Sequence, residues 1–225
     1  MSTKLDKKDL TEPDQLQLVF LSVRTFFEKH KKRLYAGLGI FILILVLAGG
    51  WHLYQLNYET AAEKIYSKVY EAAQKAGSPV GDPAAIKGYK DLILQYPRSR
   101  AAVTVHYRLG NLYFGRHEID AAILTYQDFL NKAPADSDLV TLAYNGLGAC
   151  HEAKKDFIKA LESLEKAMKT NTASSFEALN YTSIARVHEA MNSSAKALEF
   201  YRKALGKTTD PLMTIYLKRK ISTLG

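Results

Sequence analysis

The side chains in this sequence best suited to bind a metal or take part in catalysis are its histidines and its single cysteine, Cys150. The histidines are His30, His52, His106, His117, His151 and His188. His151 and His188 could be read as a pair of metal ligands, but both precede Glu-Ala and they lie 37 residues apart. Recurrence at a fixed interval favours equivalent packing positions in a repeated fold over a metal site.

Catalytic motifs are absent from the sequence. It contains no H-E-x-x-H, no Walker loop, no G-x-S-x-G and no paired cysteines,. Cys150 is interpreted as a small buried hydrophobe, with a reactive thiol as the alternative. We therefore predict that the chain is not an enzyme and carries no catalytic residues, no cofactor and no metal.

The longest uncharged segment runs from residue 34 to residue 58 and contains no Asp, Glu, Lys or Arg. As a helix, 25 residues would extend roughly 37 Å, enough to cross a hydrocarbon core of about 30 Å,. Trp51, Tyr54 and Tyr58 follow its apolar centre, as in an aromatic belt at a membrane interface,. We predict a transmembrane signal anchor at 34–58. A core helix of a soluble domain and a cleaved signal peptide are the competing interpretations.

Charge on either side of this segment predicts its orientation. Residues 19–33 contain five Lys or Arg, against two in residues 57–71. By the positive-inside rule, the N-terminus lies in the cytoplasm and residues 59–225 lie outside it. In a bacterium this corresponds to a single-pass protein of the inner membrane with a periplasmic C-terminal domain.

The segment before the anchor, residues 1–33, is predicted to be a cytosolic arm. Residues 1–13 are polar, and we expect them to be disordered,. From Asp14, apolar residues recur at helical spacing, with Thr11 as a possible cap and Pro13 in the first turn,. This amphipathic helix would lie on the lipid bilayer or dock on a partner.

Composition limits the other classes of function. The formal net charge is +8, but residues 59–225 contain no dense basic stripe, so we predict no nucleic-acid binding,. One cysteine cannot form an intrachain disulfide, so residues 59–225 must be stable through packing alone,. Asn180 and Asn192 begin N-x-S/T sequons, which matter only in a eukaryotic source,.

Residues 59–225 repeat themselves. Leu109-Gly110 recurs as Leu147-Gly148 after 38 residues, and Gln95-Tyr96-Pro97 resembles Lys132-Ala133-Pro134 after 37. No alternating strand pattern accompanies these repeats. The sequence therefore predicts helix pairs at 59–76 and 83–96, 100–115 and 118–132, 137–153 and 156–170, 174–191 and 194–206,. A closing helix is predicted after Asp210-Pro211,.

These repeats resemble tetratricopeptide repeats. One copy places Leu109, Gly110, Tyr113, Ala122, Tyr126 and Pro134 at the positions that this family uses for close packing of paired helices. Later copies place Tyr144, Gly148, His151, Ala160 and Leu164, then Tyr181, Ala185, His188, Ala197 and Tyr201, at equivalent positions. The predicted fold class is all-α, with one N-terminal transmembrane helix, a tetratricopeptide-repeat α-solenoid over 59–225 and a C-terminal capping helix.

The resemblance implies a groove, lined by the first helices of successive pairs, that binds extended peptides or helices. The predicted lining is Thr104, Tyr107, Asn111, Phe114, Asn145, Glu152, Thr182, Arg186 and Glu189. Only Asn111 matches the set that clamps a C-terminal carboxylate in some members, so that ligand is disfavoured. Part of this lining would only solvate the groove wall.

The two ends of the chain are similar to the ancillary subunit family of the bacterial SecYEG translocon. The similarity lies in VRTFFEKHKKRL before the anchor, the Trp-containing exit WHLYQLNY and the ending KISTLG. It implies an adaptor without catalytic residues, beside SecYEG and a membrane-anchored periplasmic chaperone of the prolyl-isomerase type, that assists emerging proteins. An anchored scaffold for pilus, secretion or cell-wall assembly is the main alternative. A regulatory accessory that signals through the cytosolic arm is a further one.

Overall fold

A computed structural model of the chain describes residues 15–75, 83–170 and 172–225. Within these ranges the chain forms α-helices and one short 3-10 helix, Ala173–Phe176, and no strand. The helices are α1 (Gln15–Lys75), α2 (Pro83–Gln95), α3 (Arg100–Gly115), α4 (Ile119–Lys132), α5 (Asp138–Ala153), α6 (Phe157–Met168), α7 (Glu177–Ala190), α8 (Ser194–Leu205) and α9 (Pro211–Leu224). The described residues form two units, divided between Asn57 and Tyr58.

The first unit is helical from Gln15 onward, with its apolar side chains from Leu18 to Leu56 exposed. Over Leu18–Lys75, α1 contains an 18-residue stretch of mean hydropathy 2.2, none of which is buried. By length and composition this stretch could cross a membrane. The anchor at 34–58 stays a prediction, as does its orientation. The predictions for residues 1–13, including Thr11 and Pro13, lie outside the described residues.

The second unit contains the predicted helix pairs. Residues 58–75 of α1 precede α2, and the pairs α3–α4, α5–α6 and α7–α8 follow, with α9 packed against α8. Side-chain oxygens of Ser99, Asp156 and Asp210 accept hydrogen bonds from backbone N–H groups at the starts of α3, α6 and α9. Such caps satisfy donors that the first helical turn leaves unpaired.

The turn inside each of the last three pairs has the same backbone. His117, Lys155 and Asn192 occupy equivalent positions and have φ of 60°, 60° and 57°. In each turn the next residue donates its N–H back to the preceding helix over 2.9 Å, as Glu118 does to the Tyr113 carbonyl. A repeated left-handed residue therefore sets how each second helix folds back on its first.

Small residues allow the helices of this unit to approach closely. Ala122, Ala160 and Ala197 are completely buried. A Cβ at Gly110 would lie 2.6 Å from Tyr126 Cε1, and one at Gly146 would lie 2.5 Å from Tyr126 Cζ. The Tyr126 ring thus fills space left by two glycines on different helices, which is close-packing of the kind protein interiors require.

The predicted helix 59–76 is not a separate element but the end of α1, which is continuous from Gln15 to Lys75. From α2 onward the helix bounds agree with the predicted ones to within one or two residues, except between the third and fourth pairs. There α6 ends at Met168, a 3-10 helix occupies Ala173–Phe176, and α7 begins at Glu177 instead of residue 174. The Thr141 hydroxyl lies 2.5 Å from the Thr170 hydroxyl and 2.7 Å from that of Thr172. The Thr170 hydroxyl also donates to the Ala167 carbonyl at 2.9 Å. Side-chain bonds to backbone carbonyls of this kind compete with helical hydrogen bonding.

Candidate functional site

Three of the predicted groove residues line one cleft between α3, α5 and α7. Phe114, Glu152 and Arg186 share it with Ala149, Ala153, Lys155, Phe157 and Ala190. We call these eight residues the central cleft, and its volume is about 560 Å³. All three predicted residues lie in the second half of a first helix, so the repeat register brings them together.

An ion pair forms one wall of the central cleft. The Glu152 carboxylate accepts hydrogen bonds from Arg186 Nε at 2.9 Å, and Arg186 Nη2 lies 2.9 Å from Glu152 Oε2. Phe114 is the residue equivalent to Glu152 in the preceding pair, and its partly buried ring faces the same cleft. The central cleft therefore combines an apolar wall with a charged pair held in a fixed geometry.

Asn111 lies one helical turn before Phe114, at a second and smaller cavity. Its exposed side chain accepts a hydrogen bond from the Tyr126 hydroxyl over 2.5 Å. The cavity has a volume of about 150 Å³ and is lined by Tyr70, Ala73, Gln74, Tyr89, Arg108, Asn111 and Leu112. We call it the Arg108 pocket.

The remaining α3 residues of the predicted lining contribute to packing. The Tyr107 ring packs on Tyr126 and Phe129, with centroid separations of 6.1 and 5.8 Å. Thr104 is partly buried one turn earlier on α3. Neither residue lines the central cleft or the Arg108 pocket.

Asn145 and Thr182 were predicted on the lining, but their side chains are 8% and 7% exposed. Asn145 Nδ2 donates to Asn180 Oδ1 at 2.6 Å and to the Thr141 carbonyl at 3.0 Å. The Thr182 hydroxyl donates to the Ala178 carbonyl at 2.7 Å. Because α5 and α7 are neighbours, these side chains are enclosed between the helices instead of reaching the surface. Asn180, the first sequon residue, is completely buried as well.

Glu189, also predicted on the lining, bonds to side chains of α8 and α9 at the end of the repeats. It accepts hydrogen bonds from the Tyr201 hydroxyl at 2.7 Å and from Lys220 Nζ at 2.8 and 3.0 Å. Burial alone would raise the pKa of Glu189, but the bonds from Lys220 and Tyr201 outweigh it and lower the pKa,. This carboxylate therefore stays ionised and joins α7, α8 and α9.

His188 and Cys150 are buried in the packing of the repeats, and His151 is half-buried. His188 is 7% exposed and stacks on Phe200, with ring centroids 5.6 Å apart. Burial lowers the pKa of both His151 and His188. Cys150 is completely buried, and burial raises the pKa of its thiol to about 12, so it is protonated and inaccessible at neutral pH,. No cluster of metal-ligating side chains occurs in the part of the chain that the structure describes.

Tyr70, Gln74 and Arg108 are not among the site residues predicted from the sequence. For Tyr70 and Gln74 the reason is that the first helix of the first pair lacks a Leu-Gly signature to set its register. Tyr70 and Gln74 precede Ala85 by 15 and 11 residues, as Tyr107 and Asn111 precede Ala122. Counting back from the alanine of the second helix at this constant spacing identifies Tyr70 and Gln74, whereas Arg108 lies on α3, next to the predicted Tyr107.

The family comparison covers most of the chain. A family model described as a tetratricopeptide repeat-like domain matches residues 24–225. No curated protein matches the chain at a significant level.

Solved structures resemble the fold at low identity. The MamA protein is 22% identical, with 74% of this chain and 80% of that chain covered and a TM-score of 0.55. A thermophilic tetratricopeptide-repeat protein of Thermus thermophilus is 18% identical, with 72% and 81% covered and a TM-score of 0.55. BtubC from P. vanneervenii is 14% identical, with 75% and 82% covered and a TM-score of 0.55. At these identities the similarities concern the fold alone.

Proposed function

We propose that this chain, which belongs to the tetratricopeptide repeat-like domain family, is a membrane-anchored adaptor that binds extended segments of other proteins. Its repeat domain is a scaffold for protein–protein interaction of the tetratricopeptide type. Such scaffolds bind partners on surfaces built from successive repeats, without catalysing a reaction. The fold itself does not specify which partner is bound.

The observation that carries the proposal is the central cleft. Its volume of about 560 Å³ exceeds what one side chain requires, and three successive first helices form it. Phe114 and Phe157 offer apolar contact, while the Glu152–Arg186 pair offers charge already fixed in place. A polypeptide presents the matching combination of apolar side chains and backbone polar groups.

Anchoring is supported by the segment at 34–58 and its flanks. The apolar residues of this segment that the structure describes are exposed, which is costly in water and favourable in lipid,. The run from Lys29 to Arg33 would meet the anionic inner leaflet, where each basic residue contributes about 1 kcal/mol,. The proposed location is the bacterial inner membrane, with residues 59–225 in the periplasm.

The proposed partners are SecYEG and a membrane-anchored periplasmic chaperone. The support is the resemblance of both ends of the chain to the ancillary translocon subunits. The family match begins at Arg24 and so includes the basic run before the anchor as well as the closing helix. An adaptor beside the translocon would hold or transfer chains as they emerge.

Affinity purification from membranes in mild detergent, read by mass spectrometry, tests this proposal. We compare the wild type with Ala190→Arg, which fills the exposed rim of the central cleft, and with Ala195→Arg on α8, outside the cleft. We expect translocon subunits and a periplasmic chaperone with the wild type and Ala195→Arg, and loss of the groove-bound partner with Ala190→Arg. Equal recovery with both variants would contradict binding in the cleft. Recovery of a different envelope complex, without translocon subunits, would overturn the translocon assignment and favour the scaffold alternative.

A further inference from the structure

The Arg108 pocket lies between the first helices of the first two pairs. Tyr70 and Gln74 of α1 face Arg108 and Asn111 of α3 across it, and Tyr89 of α2 closes its inner end. Tyr89 is 3% exposed, so this wall belongs to the core. The volume of about 150 Å³ suits one side chain of a bound polypeptide, not a whole peptide segment.

Stacked tyrosines hold the pocket in shape. The Tyr66 ring stacks on Tyr70 with centroids 6.0 Å apart and on Tyr89 with centroids 6.1 Å apart. Burial raises the pKa of Tyr89 to about 12, so its hydroxyl is neutral at physiological pH. Apart from Arg108, the lining residues are therefore uncharged, and such a lining weakens the competition of water for a charge placed inside.

Arg108 brings a positive charge to this uncharged frame. Its guanidinium lies 5.0 Å from the Tyr70 ring centroid, and its Nε donates to the Tyr66 hydroxyl over 3.3 Å. Among the described residues, no carboxylate forms an ion pair with it. No carboxylate of the described residues therefore neutralises the charge of the Arg108 guanidinium.

The repeat register allows Arg108 to be compared with a basic residue that has a carboxylate partner. Lys220 stands at the position of α9 that corresponds to Arg108 in α3, and it pairs with Glu189 of the preceding pair at 2.8 Å. In the sequence, the position that corresponds to Glu189 in the pair before Arg108 is occupied by Gly77, not by an acidic residue. Among the described residues, Lys220 therefore has a carboxylate partner at this register position, whereas Arg108 forms no ion pair.

Asn111 adds a neutral donor beside Arg108. Its Oδ1 accepts from the Tyr126 hydroxyl, which fixes the orientation of the amide. The Nδ2 group is left to donate, since no described residue accepts from it. A guanidinium with an adjacent amide donor is suited to a carboxylate, which accepts several hydrogen bonds at once.

We infer that the Arg108 pocket binds the carboxylate of an aspartate or glutamate side chain of an extended polypeptide. Arg108 neutralises this carboxylate, and Asn111 Nδ2 donates to it. An internal side chain is favoured over a chain end because Phe114, in the central cleft, lies one turn beyond Asn111 on α3. A chain in the central cleft would therefore continue past the pocket. This inference rests on the proposed function and adds a preference for acidic segments.

The test uses the full chain in lipid nanodiscs and three fluorescein-labelled peptides read by fluorescence polarisation. The first is Gly-Ser-Ala-Phe-Glu-Phe-Ala-Ser-Gly-amide, the second replaces Glu by Gln, and the third is the Gln peptide with a free C-terminal carboxylate. We expect the Glu peptide to bind about tenfold or more tightly than the Gln peptide, because a charged hydrogen bond is lost. Arg108→Gln should abolish this preference, and Arg202→Gln, at an exposed position of α8, should leave it intact.

Each result has a separate meaning. Equal binding of the Glu and Gln peptides, or a preference that persists in Arg108→Gln, overturns the inference. Tighter binding of only the free-carboxylate peptide overturns the side-chain assignment.

Arg108 also packs against Tyr66 and Tyr70, but a merely structural role would weaken the binding of both peptides equally and leave the ratio of their affinities unchanged. If the peptides bind with no preference and Ala190→Arg weakens both, the inference fails and the groove proposal stands. If no peptide binds, the inference fails and affinity purification decides the proposed function separately.

Discussion

Tyr126 links the packed core to the surface of the repeat domain. Its ring is 2% exposed and lies against Gly110 and Gly146, while its hydroxyl reaches out to Asn111. Any atom added on the glycine side must displace a ring that has no free space around it. The rim of the Arg108 pocket is thus fixed from inside the core.

Gly110→Ala is expected to destabilise the repeat domain by about 1–3 kcal/mol, the usual cost of overpacking. The added Cβ would lie 2.6 Å from Tyr126 Cε1. Gly206→Ala is the matched control, because its nearest neighbour would be the Lys203 carbonyl oxygen at 3.6 Å. Urea unfolding followed by circular dichroism measures both. Equal midpoints for the two variants would contradict the packing account.

Two buried histidines, His106 and His188, and the half-buried His151 predict that stability falls in mild acid. Burial lowers the pKa of His106, His151 and His188 in the folded state. Below the unfolded value of about 6.5, the unfolded chain therefore binds more protons, and the free energy of unfolding decreases as the pH falls. For His188, nearby Lys196 also lowers the pKa, while Glu199 opposes it.

His188→Tyr removes one titrating group while keeping an aromatic ring beside Phe200. Tyrosine suits the position, because Tyr113 occupies the equivalent place in an earlier pair. Unfolding free energies at about pH 7.5 and about pH 5.5, roughly one unit either side of the unfolded histidine pKa, provide the comparison. The variant should lose less stability than the wild type between the two values. An equal or larger loss would show that His188 does not contribute to the acid sensitivity.

At the scale of the elements, α9 closes the repeats. Leu217 is completely buried in a cluster with Ala185, Ala197, Tyr201 and Ala204, whereas Leu212 on the same helix is 77% exposed. Without α9, these apolar residues of α7 and α8 would face water. A terminal helix with one buried and one exposed face is what a stacked-repeat domain requires.

Leu217→Ala should cost about 2–5 kcal/mol, as truncation of a buried leucine usually does. Leu212→Ala, on the exposed face, should stay within about 0.5 kcal/mol of the wild type. Chemical unfolding of the two variants separates burial from any effect of α9 as such. Similar losses for both would contradict the role of α9 as a cap.

The elements were largely predictable because small residues mark the close approaches of helices. Gly110, Gly148 and the alanines at their spacing predicted the helix pairs, and the pairs are present. The site was less predictable. A register places Asn145 on a face, but only packing shows that α7 encloses it. The Arg108 pocket is not predicted by the Leu-Gly signal, because the first helix of its first pair lacks that signal.

At the scale of the whole molecule, the proposed topology predicts which sites a reagent can reach. In a Cys150→Ala background, Ser22→Cys and Ser222→Cys place single exposed thiols before the anchor and on α9. A membrane-impermeant maleimide should label position 222 in intact spheroplasts, and position 22 only after lysis. Labelling of position 22 alone in intact spheroplasts would reverse the orientation. Labelling of both would contradict a single membrane span.

The central claim is that the central cleft contacts another polypeptide while the chain is in the membrane. Photo-crosslinking in living cells tests it most directly, with a benzoylphenylalanine at Ala190 on the cleft rim and, as the control, at Ala195 on α8. We expect protein adducts at position 190, with translocon subunits or a periplasmic chaperone among them, and few at position 195. Equal adducts at both positions, or none at position 190 while position 195 forms them, would contradict the claim.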